Sequence, residues 1–202
     1  MRVISGRFKG RRLAEFEAGH IRPTTDRVKE TLFNKLIGRV EGARVLDLFS
    51  GTGSLAIECL SRGAAWVDLV ESHPKSLAIV RDNLERLDIR SGYKVHAVDV
   101  FRFIARFHRA ERGDSRLEPY NLVLADPPFT RAWAHDLAVK IGQSRVLAEA
   151  GWLVIEASSK ERMDDVYPGL IRLDQRRFGD KHLNFFARDP DHADKGDLSR
   201  QF

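Results

Sequence analysis

The sequence is poor in the residues that staple, span or chelate. Its 202 residues include one cysteine, Cys59, so no disulfide can close within the chain, and a reducing compartment is the matching environment. No apolar run approaches the ~18 residues of a membrane-spanning helix, and the basic N-terminus lacks the apolar stretch of a secretory signal. A cytoplasmic location with no membrane partner is therefore expected. Seven histidines are scattered singly without ligand spacing, so no metal site is expected. Neither an internal repeat nor a domain-separating linker is visible. One folded domain is the expectation at this length, burying roughly 70% of its unfolded surface.

Hydrophobic residues make up 43% of the chain and charged residues 31%, ordinary values for a folded soluble protein. The charge is unevenly spread. Residues 1–39 hold ten Lys or Arg against four Asp or Glu, a net +6, whereas the whole chain carries +5. The remainder is thus close to neutral, and the amino-terminal stretch supplies the excess. Gly6-Arg7-Phe8-Lys9-Gly10 places glycines around alternating basic and apolar residues, a pattern that suggests a short β-hairpin. Arg7, Lys9, Arg11 and Arg12 on such a hairpin fit a phosphate-contacting surface, with a merely solvated basic face as the alternative.

The most informative stretch is Asp126-Pro127-Pro128-Phe129, directly after the apolar run Leu122-Val123-Leu124-Ala125. The run reads as a buried strand, and the two prolines forbid its continuation and fix its exit turn. A carboxylate, a carbonyl outside the sheet and an aromatic ring are left at the strand's carboxyl end. Two acceptors beside a flat ring suit a planar ring bearing an amino group. A loop with an N-capping Asp explains the tetrapeptide equally well when it is taken alone.

A second stretch runs from Val45 through Asp47, Phe49, Gly51 and Gly53 to Ala56, as a buried strand, a glycine turn and the start of a helix that carries Cys59 as a core residue. Glycines allow positive φ and let a ligand approach main-chain N–H groups. The spacing also fits a dinucleotide fingerprint, with Glu71 ending the next strand about 20 residues on, where a carboxylate accepts ribose hydroxyls. A nicotinamide cofactor therefore stays open at this point. Asp47 weighs against it, because a carboxylate just before the glycines repels pyrophosphate. S-adenosylmethionine, cationic and free of phosphate, suits that carboxylate; a side chain capping its own turn is the competing reading. Asp99 follows the run Val95–Val98 and is placed to accept from an adenine amine at the end of a third strand.

The remaining pattern alternates strands and helices, as in a Rossmann-like doubly wound α/β sheet. Thr25 is a candidate N-cap for a helix whose apolar face is Val28, Leu32, Leu36 and Val40. Pro74 opens another helix, with Leu77, Val80 and Leu84 inward. Residues 106–119 read as a charged, turn-rich connection, most of it without regular structure. A fifth strand covers Gly151–Glu156, and Ile171–Phe178 pairs with His182–Arg188 across Gly179-Asp180. About seven strands are expected, mostly parallel, with a C-terminal antiparallel strand and the small basic hairpin extension.

Asp47-x-Phe49-x-Gly51-x-Gly53, Glu71, Asp99 and Asp126-Pro127-Pro128-Phe129 resemble, in order and spacing, the class I S-adenosylmethionine-dependent amino-methyltransferases. Met1–Leu13 and Ile21–Phe33 narrow the resemblance to the bacterial 16S rRNA guanine-N2 methyltransferase family (RsmD), over residues 1 to about 188. Ala125 departs from it, standing where a larger apolar residue is commoner, and residues 189–202 have no counterpart.

The resemblance implies an enzyme that uses S-adenosylmethionine to methylate the exocyclic N2 of a guanine in 16S rRNA. Its setting is a partly assembled small ribosomal subunit, and the enzyme acts as a monomer. It implies cofactor contacts at Asp47, Phe49, Gly51, Gly53, Glu71, Ser72, Asp99 and Val100, and catalysis at Asp126, Pro127 and Phe129. RNA contacts fall on Arg7, Lys9, Arg11, Arg12, Arg22 and Thr24. The implied division is a basic RNA-contacting extension (1–24), a methyltransferase domain (25–188) and a disordered tail (189–202). A DNA adenine amino-methyltransferase and a non-catalytic RNA-binding module are the alternatives.

Overall fold

The computed structural model describes residues 1–14, 26–109 and 117–189. Thr25, proposed as a helix cap, most of the tail 189–202 and the middle of the 106–119 connection lie outside the described residues. The chain falls into two compact units, Met1–Val100 and Phe101–Phe202.

In the first unit, β1 (Arg44–Leu48), β2 (Trp66–Glu71) and β3 (Tyr93–Ala97) are parallel and lie in the order β3-β2-β1. The inner residues of β1 and β2 are buried on both faces, which is why these strands read as unbroken apolar runs rather than alternating ones. Parallel neighbours need crossovers, supplied by α2 (Ser54–Ser61) and α3 (Pro74–Arg86). Pro74 occupies the first turn of α3, where its missing N–H is not needed. The preceding helix α1 (Asp26–Lys35) buries Val28, Leu32 and Phe33, and Leu36 and Val40 stay buried beyond its end.

Residues 1–14 form the expected hairpin in minimal form. Arg2 and Arg12 make an antiparallel bridge, flanked by bonds from Val3 N to Arg11 O and from Gly10 N to Val3 O, both 2.9 Å. Its inward residues Val3, Phe8 and Leu13 are buried. The hairpin is fastened to α2 through polar contacts. The Glu58 carboxylate accepts from Ile4 N (2.8 Å) and Ser5 N (3.0 Å), and Ser61 Oγ accepts from Phe8 N (2.9 Å). Gly6, at φ +80, lies so close to α2 that a Cβ there would sit 1.8 Å from the Ser61 carbonyl oxygen. Under these contacts Lys29 and Glu58 pair at 3.3 Å with both side chains 0% exposed. Lys29 Nζ also donates to Arg2 O (2.9 Å) and Ser54 Oγ (3.1 Å), and Arg62 donates to Glu58 (2.9 Å). Burial pushes the Lys29 ammonium below its ordinary pKa, and Glu58 opposes that shift.

The second unit opens with α4 (Val100–Arg109), of which only Val100 belongs to the first. It contains β4 (Tyr120–Ala125), a 3-10 turn (Phe129–Arg131), α5 (Ala134–Gly142), β5 (Leu147–Ser158), β6 (Val166–Tyr167), β7 (Leu170–Phe178) and β8 (Lys181–Arg188). The strand order is β4-β5-β8-β7-β6; β4 and β5 are parallel and the other pairings antiparallel. The β7–β8 hairpin turns where expected, at Gly179 (φ +59).

Three details differ from the sequence reading. Residues 106–109 continue α4, because Phe103, Ile104 and Phe107 form a buried stripe at helical spacing within a charged segment. The described strands number eight, and four of them (β5, β6, β7 and β8) make antiparallel pairings. The added strand, β6, has two residues, too few to leave a periodic signal, and covers only Leu170 and Ile171 of β7. No helix among the described residues is long and apolar enough to cross a membrane.

Breaking a buried ion pair costs about 3–5 kcal/mol when one charge is left without its partner. Glu58 keeps Arg62 as a partner at 2.9 Å, so we expect Lys29→Met to lower the unfolding free energy by no more than this amount and Gly6→Ala to lower it measurably, both read by urea titration. Unchanged midpoints would show that the hairpin is not fastened through α2.

Candidate active site

The glycine turn is built from backbone that tolerates little besides its own residues. Phe49, Gly51 and Gly53 all have positive φ (59, 56 and 75°), a conformation that is uncommon for a bulky residue such as Phe49. A Cβ on Gly53 would meet Leu69 and Val80 at 3.4 Å. Ser50 holds the bend by donating its hydroxyl to Asp47 O (2.8 Å).

Two carboxylates bind this turn. Asp47, 1% exposed, accepts from Ala56 N at 3.2 Å and so caps α2 from the preceding strand; the capping role weighed against cofactor binding is present. Glu71 accepts from Gly51 N (3.0 Å) through one oxygen and from Ser72 N and His73 N (2.8 Å each) through the other. It therefore ties the glycine turn to the start of α3. These acceptors occupy N–H groups that a pyrophosphate would need, and they bring negative charge to the same place. The turn is suited to a cationic or neutral polar group and poorly suited to phosphate. A carboxylate offers about four acceptor sites, so Glu71, accepting three bonds, keeps capacity for a ligand hydroxyl.

Burial raises the Asp47 pKa to about 7, with the Ala56 N–H and the Ser50 hydroxyl opposing and the Glu71 charge adding to the rise. Asp99 does not end β3, which stops at Ala97; it lies two residues on, half-buried, immediately before Val100 opens α4. Val98 N donates to Glu71 O (3.1 Å), which carries this loop to the end of β2. Val100 is buried. Asp47, Gly51, Glu71 and Ser72 are thus joined by hydrogen bonds or charge, with Asp99 and Val100 following the Val98 tether.

The sequence reading did not single out Asn83. It is 0% exposed, donates to Thr52 O (2.9 Å) and Ala14 O (3.2 Å) and accepts from Ala14 N (2.6 Å). One amide thereby joins α3, the glycine turn and the end of the hairpin. The only signal for it in the sequence is an amide beside Leu84 on the apolar side of a helix.

In the second unit, β4 ends at Ala125 and the two prolines redirect the chain as expected. Asp126 is half-buried, Pro127 buried and Pro128 exposed. The Pro128 carbonyl accepts from Arg131 N (3.1 Å), closing the 3-10 turn. Phe129 is 37% exposed, and one of its neighbours is Lys181, whose Nζ is 4.8 Å from the ring centroid. Lys181 forms a buried salt bridge with Glu156; neither residue was singled out from sequence. Trp133 packs edge-on against Phe101 (centroids 5.4 Å apart) beneath Arg131.

Arg7, Lys9, Arg11 and Arg12 are all exposed on the hairpin. Arg11 is partly engaged, donating to Arg86 O at 2.9 Å at the end of α3. Arg22 and Thr24 lie outside the described residues. No group of three or more His, Cys, Asp or Glu suited to a metal ion occurs among the described residues. Cys59 is buried in α2, and burial raises its thiol pKa, as suits a core residue.

A family model described as "Conserved hypothetical protein 95" matches residues 1–187. The putative rRNA methyltransferase YlbH of Bacillus subtilis (strain 168) is 32% identical over 179 residues, covering 89% of this chain and 94% of its own. The ribosomal RNA small subunit methyltransferase D of Escherichia coli (strain K12) is 35% identical over 157 residues, 78% of this chain and 71% of its own. The solved structure of the putative methyltransferase yhhF from Escherichia coli superposes with a TM-score of 0.79 at 30% identity, covering 94% of this chain and 98% of that one. The fold is accordingly the mixed α/β, Rossmann-like one.

Asp47 generates a pH test. Its folded pKa of about 7 stands above the ordinary 3.8, so the folded state keeps a proton that the unfolded chain loses. Stability from this site therefore falls as pH rises from about 4 through 7, at no more than about 1.4 kcal/mol per pH unit. Asp47→Asn is neutral throughout. Between pH 5 and 8 it should lose less unfolding free energy than wild type in urea titrations, and parallel pH profiles would refute the assignment.

Proposed function

We propose, for a chain that belongs to the Conserved hypothetical protein 95 (RsmD) family, that it methylates ribosomal RNA at the exocyclic N2 amine of a guanine, with S-adenosylmethionine as donor. The observation that carries the cofactor is the carboxylate-occupied glycine turn. When bound, S-adenosylmethionine supplies an electrophilic methyl group on a sulfonium. Asp47 and the turn around Gly51 and Gly53 favour its positive charge, and Glu71 accepts ribose hydroxyls with its remaining capacity. Asp99, after Val98, accepts from the adenine amine, and the backbone at Ser72 and Val100 borders the same ligand.

The Asp126-Pro127-Pro128-Phe129 turn receives the base. A guanine amine is a weak nucleophile because its lone pair is delocalised into the ring. The Asp126 carboxylate and the Pro127 carbonyl accept its two N–H bonds and thereby aim the lone pair. Alignment of bound reactants supplies on the order of 7–11 kcal/mol, so no unusually strong base is needed. Asp126 takes the proton once the methylated nitrogen has become acidic. Phe129 stacks on the base, contributing about 1–3 kcal/mol. Unstacking the base costs a few kcal/mol, which favours a loop or single strand within 16S rRNA as substrate. Arg7, Lys9 and Arg12 hold the surrounding phosphates, and the catalytic cycle needs only one copy of the chain.

Labelled methyl transfer into small-subunit RNA, free or in its particle, followed by nucleoside analysis, tests the reading. Wild type should yield N2-methylguanosine, and Asp126→Ala should lower the rate at least about a hundredfold with S-adenosylhomocysteine affinity retained. Label appearing only as N6-methyladenine in DNA would overturn the assignment of substrate, and no transfer to any nucleic acid would overturn the activity. Because deleting residues 1–12 would expose the buried Lys29–Glu58 pair, the hairpin is better tested by the triple variant Arg7→Ala, Lys9→Ala, Arg12→Ala. It should weaken RNA binding and flatten its salt dependence by about 0.7 for each phosphate no longer neutralised, with unchanged melting temperature. An unaltered salt slope would remove the hairpin from the RNA interface.

A further inference from the structure

Lys181 opens β8 and stands two residues from Leu183, the antiparallel partner of Glu156 in β5. That diagonal places both side chains on one face of the sheet, where they form the salt bridge already described, at 10% and 5% side-chain exposure. In the parallel ladder between β4 and β5, Ala125 is level with Ile155, so one step further the chain of Asp126 leaves the sheet at the level of Glu156. Three strands therefore converge at this end of the unit: β4 carrying the Asp-Pro-Pro-Phe turn, β5 carrying Glu156 and β8 carrying Lys181. The Lys181 ammonium lies 4.8 Å from the Phe129 ring centroid, inside the ~6 Å range in which a cation is attracted to an aromatic face. Its own charge is balanced by Glu156, so the contact adds no net charge beside the Asp126 carboxylate.

Resting on the reading of Phe129 as the stacking platform, we propose that Lys181, anchored by Glu156, is a positioning residue that holds the Phe129 ring at a fixed tilt and leaves the opposite face to the target base. A phenylalanine with more than a third of its surface exposed has no close-packed neighbours to fix its second torsion on the solvent side. A buried ammonium held by a carboxylate fixes it from beneath. The cation also draws π density toward itself, which favours stacking of an electron-rich purine on the other face.

A double-variant cycle with Lys181→Met, Phe129→Leu and their combination tests the inference, with Lys181→Arg as the conservative control. The first readout needs no RNA: in protein with 13C-labelled phenylalanine rings, the signals absent from Phe129→Leu belong to Phe129. In Lys181→Met those signals should shift and average, and in Lys181→Arg they should stay near wild type. The second readout is methyl transfer. Lys181→Met should reduce kcat/KM for RNA about tenfold with S-adenosylhomocysteine affinity unchanged, and should add little to the loss already caused by Phe129→Leu. Unchanged Phe129 ring signals in Lys181→Met would overturn the proposal whatever the activity, as would full multiplication of the two single losses. Absence of transfer by wild type would overturn the proposed function instead, while the ring signals still decide the role of Lys181. Loss of cooperative melting in Lys181→Met with retention in Lys181→Arg and Glu156→Gln would mark the residue as structural only.

Discussion

The glycine turn depends on main-chain N–H groups being satisfied by carboxylates. Glu71 spans from Gly51 to the first turn of α3, and Asp47 reaches forward to Ala56 in α2. The half-buried Gly51 N–H and the buried Ala56 N–H must find acceptors, and here both acceptors are carboxyl groups. This arrangement sets the polarity of the ligand the turn admits. In a phosphate-binding turn the same N–H groups face outward to the anion; here they are already engaged, and what faces outward is acceptor. The choice between two nucleoside cofactors thus comes down to which partner the turn's amides already have.

The amino-terminal hairpin extends the same logic. It has little ladder of its own, and its order derives from α2 and α1. Glu58, Ser61 and Lys29 supply the acceptors and donors that the strands of a larger sheet would provide. Val3, Phe8 and Leu13 point inward and Arg7, Lys9 and Arg12 outward, so burial and presentation of charge alternate along one short segment. The basic surface is consequently held in one orientation relative to α2 and the glycine turn, with Asn83 joining Ala14 to Thr52.

Much of this was legible in the residues. The strand–turn–helix at Val45–Ala56 and the strand–proline turn at Leu122–Phe129 follow from apolar runs that end in residues with restricted backbones, and both occur as read. The hairpin's two glycines were sufficient to place it. What could not be read were contacts between residues distant in sequence. Glu58 looks like the polar face of an amphipathic helix until the hairpin arrives to cover it, and Lys29 resembles any solvated lysine of α1. Lys181 and Glu156 are 25 residues apart, and only the β5–β8 register brings them together beneath Phe129. Asp47 carried two readings in the sequence; it caps α2, and that bond is itself part of what shapes the turn. The extension of α4 to Arg109 was hidden because its last four residues, Arg106-Phe107-His108-Arg109, hold only one inward apolar residue.

The brevity of β6 has a consequence for how the molecule behaves in a crowded solution. Among the described residues no strand pairs with the outer margin of β7 past Ile171, the geometry from which strand-by-strand association begins. Arg172, Arg176 and Arg177 line that margin, and Asp165 folds over its first amide, with Arg172 N donating to Asp165 O at 2.7 Å. Two of these guanidinium groups are paired, Arg172 with Asp165 and Arg176 with Asp174, so the margin presents charges of both signs to an approaching chain. Charged side chains along a sheet edge are a common guard against edge-to-edge pairing.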